Sequence, residues 1–71
     1  MSQAVIYAWL KNQFQNGEHK FWTPKEISEA LYINGRTVND KLGALYRSGF
    51  LEIEQLGLWK RKYRIKTKYT K

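Results

Sequence analysis

The chain has 71 residues, no cysteine, and 13 Lys+Arg against 6 Asp+Glu, for a formal net charge of +7. That length holds one domain, and a domain this small buries only about 60% of the surface its unfolded chain exposes. The absence of cysteine excludes a disulfide framework, a Cys-type zinc site and a thiol nucleophile, so the three Trp, five Tyr and three Phe are the expected means of building a dense core.

Residues 2 to 15 read as the first helix. At about 100° per residue, Val5, Ile6, Trp9 and Leu10 fall on one side, with Phe14 at its margin. Ser2 can cap the start, and Asn16-Gly17 is a stop signal. Met1 to Leu10 is also the longest uncharged run. It is too short to span a membrane and lacks the basic n-region of a signal peptide. The expectation is a cytoplasmic protein with no membrane partner and, since it opens on Met without a tag, a complete small one. Glu18 to Lys20 read as loop, with His19, the lone histidine, exposed in it.

Thr23-Pro24-Lys25-Glu26 is a capping box with Pro at the first helical position. Trp22 and Ile27 stand at the two positions of a hydrophobic staple. A second helix is expected over 24–31, with Ile27, Ala30 and Leu31 inward, and Phe21-Trp22 before it as a brief strand. Tyr32 to Gly35 read as a tight turn in which Asn34 caps a third helix, over 35–47. There Val38, Leu42 and Leu45 fall within about 60° of one another, and Ser48-Gly49 ends the run.

Phe50 to Gln55 alternate at period two, as a half-buried strand does. A turn is expected at Gly57, and Arg61 to Lys66 alternate again. This predicts a β-hairpin over 51–66 with an acidic first strand, a basic second strand and cross-strand pairing of Glu54 with Arg61 or Lys62. Tyr63 and Ile65 are expected on one face, with Arg61 and Arg64 pointing away from them. Residues 67–71 read as a basic tail.

The charge is unevenly placed. All the acids lie at or before Glu54, matched there by Lys11, Lys20, Lys25, Arg36, Lys41 and Arg47, so the whole +7 falls in residues 56–71. A solvated, solubilising tail is the plainer alternative. Against it, Trp59, Tyr63, Ile65 and Tyr69 are interleaved with the cations, a mixture that suits a polyanion.

The fold class expected from this order is α+β, three helices and a hairpin. Thr23 to Leu31, then Ile33-Asn34-Gly35-Arg36-Thr37-Val38, Leu42 and Leu45, then Ser48-Gly49-Phe50-Leu51-Glu52 resemble the winged helix-turn-helix domains of small bacterial and archaeal transcription regulators, including those of archaeal viruses and plasmids. A viral origin would place the protein in the host cell. The shared features are an apolar residue before a polar cap, a Thr-Val pair one turn into the recognition helix, and a Gly-apolar-apolar-Glu lead into the wing. With the first helix and the hairpin, the resemblance covers residues 2–66. It implies double-stranded DNA as partner, with helix 35–47 in the major groove.

The outward face of that helix carries Arg36, Asp40, Gly43 and Arg47, flanked by Thr37, Asn39 and Ala44. Arg36 suits guanine and Asn39 adenine, each pairing worth about 1–3 kcal/mol of discrimination. Thr37 suits a phosphate or a thymine methyl. Asp40 is the awkward member: it repels phosphates unless it accepts from a cytosine amino group or orients Arg36 or Arg47. Gly43 costs the helix up to about 1 kcal/mol relative to Ala, which close approach to DNA would explain. In the wing, Lys60, Arg61, Lys62, Arg64 and Lys66 are expected on phosphates or in a minor groove. Trp59 either packs on the hairpin or a partner chain, or touches sugar and backbone; packing is the expectation. Trp9, Trp22, Tyr46 and Phe50 are expected in core or interface, and Tyr7 with Phe14 would suit a homodimer.

Catalysis finds no footing. Ser2, Ser28 and Ser48 have no nearby base, and no glycine run resembles a phosphate loop. No enzyme, cofactor or metal is expected. Two rival functions remain. One is a protein-interaction adaptor that docks through Leu56, Leu58 and Trp59. The other is RNA or single-strand binding through the basic-aromatic hairpin.

Overall fold

The computed structural model describes residues 2–55, 57 and 60–66 of the chain. Along them run α1 (Ser2–Gln15), α2 (Pro24–Leu31), α3 (Gly35–Arg47), β1 (Leu51–Gln55) and β2 (Arg61–Ile65). Three helices followed by a two-stranded antiparallel hairpin make the expected α+β winged helix. The wing-tip residues Leu56, Leu58 and Trp59 and the tail 67–71 lie outside the described residues, as does the Ser2 side chain expected to cap α1. No helix among the described residues is long and apolar enough to cross a membrane.

α1 buries Ile6 and Leu10, one turn apart, and half-buries Trp9 and Phe14. Val5, expected inward, is 49% exposed. It stands about 100° from Ile6 and so lies past the edge of a stripe centred on Ile6 and Leu10. Gly17 stops the helix at φ 94°, and the Glu18 N–H donates back to the Gln13 carbonyl at 2.9 Å. A residue with a Cβ enters that left-handed cap only with strain.

The capping box of α2 is formed on both arms. The Glu26 N–H donates to Thr23 Oγ1 at 3.1 Å, and the Thr23 N–H donates to Glu26 Oε1 at 2.9 Å. Ile27 is fully buried and Leu31 half-buried, but Ala30, expected inward, is exposed. α2 packs chiefly on α3, and the pair Ile27 and Leu31, one turn apart, fills that contact. The helix ends on Tyr32 in the left-handed conformation, φ 56° and ψ 39°. Ser28 braces this turn from both sides: its carbonyl accepts from the Tyr32 and Ile33 N–H groups, and its hydroxyl donates to the Ile33 carbonyl.

Asn34 caps α3 by accepting from the Arg36 N–H at 2.8 Å. Val38, Leu42 and Leu45 are buried, as their spacing predicts. Gly49 then turns the chain at φ 86°, and the Phe50 N–H reaches back to the Leu45 carbonyl at 3.1 Å. The hairpin register pairs Leu51 with Ile65, Glu52 with Arg64, Ile53 with Tyr63, Glu54 with Lys62 and Gln55 with Arg61. Of the two partners expected for Glu54, Lys62 is therefore the one opposite it. The brief strand at Trp22 is an isolated bridge to Tyr63, closed by two 2.7 Å backbone hydrogen bonds.

The core runs through every element: Ile6 and Leu10 from α1, Ile27 from α2, Val38, Leu42 and Leu45 from α3, and Leu51, Tyr63 and Ile65 from the hairpin. Each such side chain contributes about 1.5–3 kcal/mol by burial. Trp22 meets Trp9 edge-on with ring centres 4.9 Å apart, and Tyr7 meets Phe50 at 5.5 Å. Tyr46 remains 43% exposed.

Candidate nucleic-acid interface

Three elements converge on one groove. The bridge between Trp22 and Tyr63 pins the start of α2 against β2, and the buried stripe of α3 turns its opposite face outward beside them. The resulting cleft measures about 950 Å³. α2 lines it with Thr23, Pro24 and Lys25, α3 with Asn39, Asp40, Gly43 and Arg47, and the wing with Lys60, Arg61, Lys62 and Tyr63. The floor and rims thus carry Lys25, Arg47, Lys60, Arg61 and Lys62 against one acid, Asp40.

The expected site residues divide between this groove and other places. Asn39, Asp40, Gly43 and Arg47 of α3 meet Lys60, Arg61 and Lys62 of the wing there. Arg36 is exposed on the first turn of α3 and Thr37 is half-buried beside it; neither lines the groove. Gly43 sits under Arg47: a Cβ added to it would stand 3.3 Å from Arg47 Nη1. Lys66 is half-buried just past β2, where its N–H donates to the Phe50 carbonyl at 3.1 Å.

Arg61 and Arg64 part company. Alternation along β2 puts Arg61 in phase with Tyr63 and Ile65, and not away from them as expected; it lines the groove, as does Lys62 of the other phase. Arg64 is out of phase and turns to the other side of the hairpin. There it donates to the His19 carbonyl at 2.8 Å, lies 3.4 Å from Glu52 Oε2, and stacks 4.4 Å over the Phe21 ring. Its Nε is buried without a partner. His19 is exposed, as expected, but its ring stacks on Phe14 at 4.1 Å.

Thr23, Pro24 and Lys25 line the groove, although in sequence they carry only the signature of a helix cap. The signal that could have found them is a lysine in the first turn of the helix preceding the recognition helix. Helix starts attract anions, and the turn brings this start alongside the wing. Glu26, next to it, is held below the usual carboxylate range by the Thr23 N–H; burial opposes this shift, and Lys20, 3.5 Å from its Oε2, adds to it.

A groove of this charge suits a polyanion, and the carboxamide and carboxylate on its floor suit hydrogen-bonding edges. No curated protein and no solved structure matches the chain. The family model of the DnaD N-terminal domain matches residues 3–70, nearly the whole length, and on that match the chain belongs to the DnaD N-terminal domain family.

Proposed function

We propose that the chain is a DNA-associated binding module, not an enzyme, and that its groove holds double-stranded DNA. One observation carries this reading: Lys25, Arg47, Lys60, Arg61 and Lys62, drawn from three elements, surround a single cleft beside the outward face of α3. In the proposed complex α3 lies in the major groove. Asn39 and Asp40 meet base edges, Arg36 extends the same face at its N-terminal end, and the lysines and arginines of α2 and the wing take phosphates. Membership of the DnaD family supports a setting in DNA replication, in place of the transcription regulation implied by the motif resemblance.

The test is a titration of labelled random-sequence duplex, with single-stranded DNA and RNA of the same length as competitors. Duplex binding that is displaced least by the single strands supports the proposal. Preference for either single strand would favour the rival reading, and no binding to any of them would leave the groove to an acidic protein partner.

A second reading concerns self-association. Gln3, Ala4, Tyr7, Leu45 and Phe50 line a shallow, mainly apolar hollow of about 480 Å³ on the α1 side, and Val5 and Tyr46 are exposed large apolar side chains. Such a patch suits a second copy of the chain. Sedimentation of the wild type against Val5→Glu tests it, the variant being expected to shift towards monomer.

A further inference from the structure

Asp40 is the one acid lining the groove. Among the described residues it forms no ion pair, although Lys25, Arg47, Lys60, Arg61 and Lys62 line the same cleft. A free carboxylate there weakens attraction to any polyanion, so general affinity does not account for it. Its helix position adds a second constraint. Arg36, Asp40, Gly43 and Arg47 run along the face of α3 opposite Val38, Leu42 and Leu45. The two arginines stand at the ends of that face, about 16 Å apart along the axis at 1.5 Å per residue. Between them are the short side chain of Asp40 and, at Gly43, a position over which Arg47 folds, its Nη1 3.3 Å from where a Cβ would stand.

An outward helix face that carries Asp40 at its middle, among cations, can lie in the major groove of duplex DNA. The groove is about 12 Å wide, with phosphates on both rims and base edges between. With α3 in that groove, the cations of α2 and the wing stand towards the rims and the outward face of α3 approaches the bases. Asp40 therefore meets base edges and stays clear of the phosphates that would repel it.

The four bases offer a carboxylate unequal welcomes. Guanine presents two acceptors, N7 and O6, and thymine presents the O4 acceptor with a methyl group; both repel or exclude it. Adenine presents a donor beside an acceptor. Cytosine presents its N4 amino group alone, a donor with no acceptor on its own edge. We infer that Asp40 is a specificity-determining residue of the groove and selects cytosine at one position, its carboxylate accepting from the cytosine N4 amino group. The inference rests on the duplex-DNA reading of this groove.

Selection from random duplex DNA tests it, carried out with the wild type, Asp40→Asn and Asp40→Ala. Asp40 is exposed, so both substitutions should be accommodated, and circular dichroism checks that each variant is folded. The wild type should enrich a site with cytosine at one position, and other bases there should weaken binding by roughly 5- to 150-fold. Asp40→Asn should move that position to adenine, because a carboxamide pairs with both the N6 donor and the N7 acceptor. Asp40→Ala should leave the position undefined. Both variants should bind unselected duplex more tightly than the wild type, since each removes a negative charge. The same enriched site from all three proteins would overturn the inference while leaving DNA binding intact. Failure of the wild type to bind duplex at all would overturn the reading beneath it as well.

Discussion

Arg64 Nη1 donates to the His19 carbonyl at 2.8 Å, joining β2 to the loop after α1 across 45 residues of chain. The same guanidinium lies 3.4 Å from Glu52 Oε2 and stacks over Phe21. One cation of the basic hairpin is thus committed to holding the wing against the helical body. Arg64→Gln should lower stability by roughly 1–3 kcal/mol, because a charged hydrogen bond is lost and Glu52 is left half-buried without its partner. The buried, unpaired Nε sets part of that loss back. Urea denaturation measures the change. At matched folded fraction, the salt dependence of duplex binding should equal the wild type's; a shallower dependence would return Arg64 to the DNA interface.

The box at the start of α2 makes a pH prediction. Hydrogen bonding from the Thr23 N–H depresses the Glu26 pKa below its ordinary 4.5. A carboxylate whose folded pKa is depressed contributes stability that is present above the unfolded value and lost as pH falls through the folded one. Glu26→Gln keeps the geometry of the box but removes the charge. The stability difference between wild type and Glu26→Gln should therefore be largest near neutrality and close up below the ordinary carboxylate range. Thr23→Ala removes the other arm and should cost about 0.5–2 kcal/mol, most of it kept at acid pH because the bond from the Glu26 N–H does not depend on the carboxylate charge. Denaturation curves for the two variants at neutral and acid pH separate these effects.

Tyr32 holds a left-handed conformation while its side chain is 95% exposed. The bracing by Ser28 imposes that conformation, and a residue with a Cβ adopts it at a cost of roughly 1–2 kcal/mol. Tyr32→Gly removes the cost and loses no packing, so it should raise stability by roughly 1 kcal/mol once the extra freedom of unfolded glycine is counted. Unchanged or lower stability would mean that the tyrosine ring supports the turn.

Gly43 offers the converse test in the groove. Gly→Ala in a helix interior gains up to about 1 kcal/mol. The added methyl would stand 3.3 Å from Arg47 Nη1, the far end of a flexible side chain that can shift. Gly43→Ala should therefore raise stability and weaken duplex binding, since it fills the cleft and displaces Arg47. Higher stability with unchanged binding would show that DNA does not approach α3 at this point.

Local signals made most of this fold legible. Thr23 and Glu26, Asn34, Gly17 and Gly49 mark their boundaries through hydrogen bonds and dihedral angles set within a few residues. The stripe Val38, Leu42, Leu45 likewise follows from helical period alone. What stayed hidden depends on distant contacts. Ala30 and Val5 are apolar residues at the edges of their stripes, and only the packing partner decides whether an edge is covered. Arg64 reads as one more wing cation because its partners, His19 and Phe21, are brought to it by the tertiary fold. Lys25 reads as part of a cap for the same reason. The parity of Arg61 with Tyr63 and Ile65 follows from the sequence at period two, whereas the presence of both Arg61 and Lys62 in the groove depends on where the fold sets the wing.

The last prediction separates groove cations from the rest of the wing. If Lys25, Arg47, Lys60, Arg61 and Lys62 each neutralise one phosphate, counterion release gives a slope of log Kobs against log salt of about −4.5, from −0.9 per contact. Lys60 and Arg61 are exposed, so changing both to Gln removes two contacts while sparing the core. The slope should become shallower by about 1.8, with weaker binding to every sequence alike. Arg64→Gln is the matched control, since it lowers the charge of the same hairpin from outside the groove. A folded double variant with the wild-type slope would remove the wing from the phosphate contacts. Equal losses of slope in the double variant and the control would mean that DNA senses only the overall charge of the hairpin, and the groove would lose its claim as the binding surface.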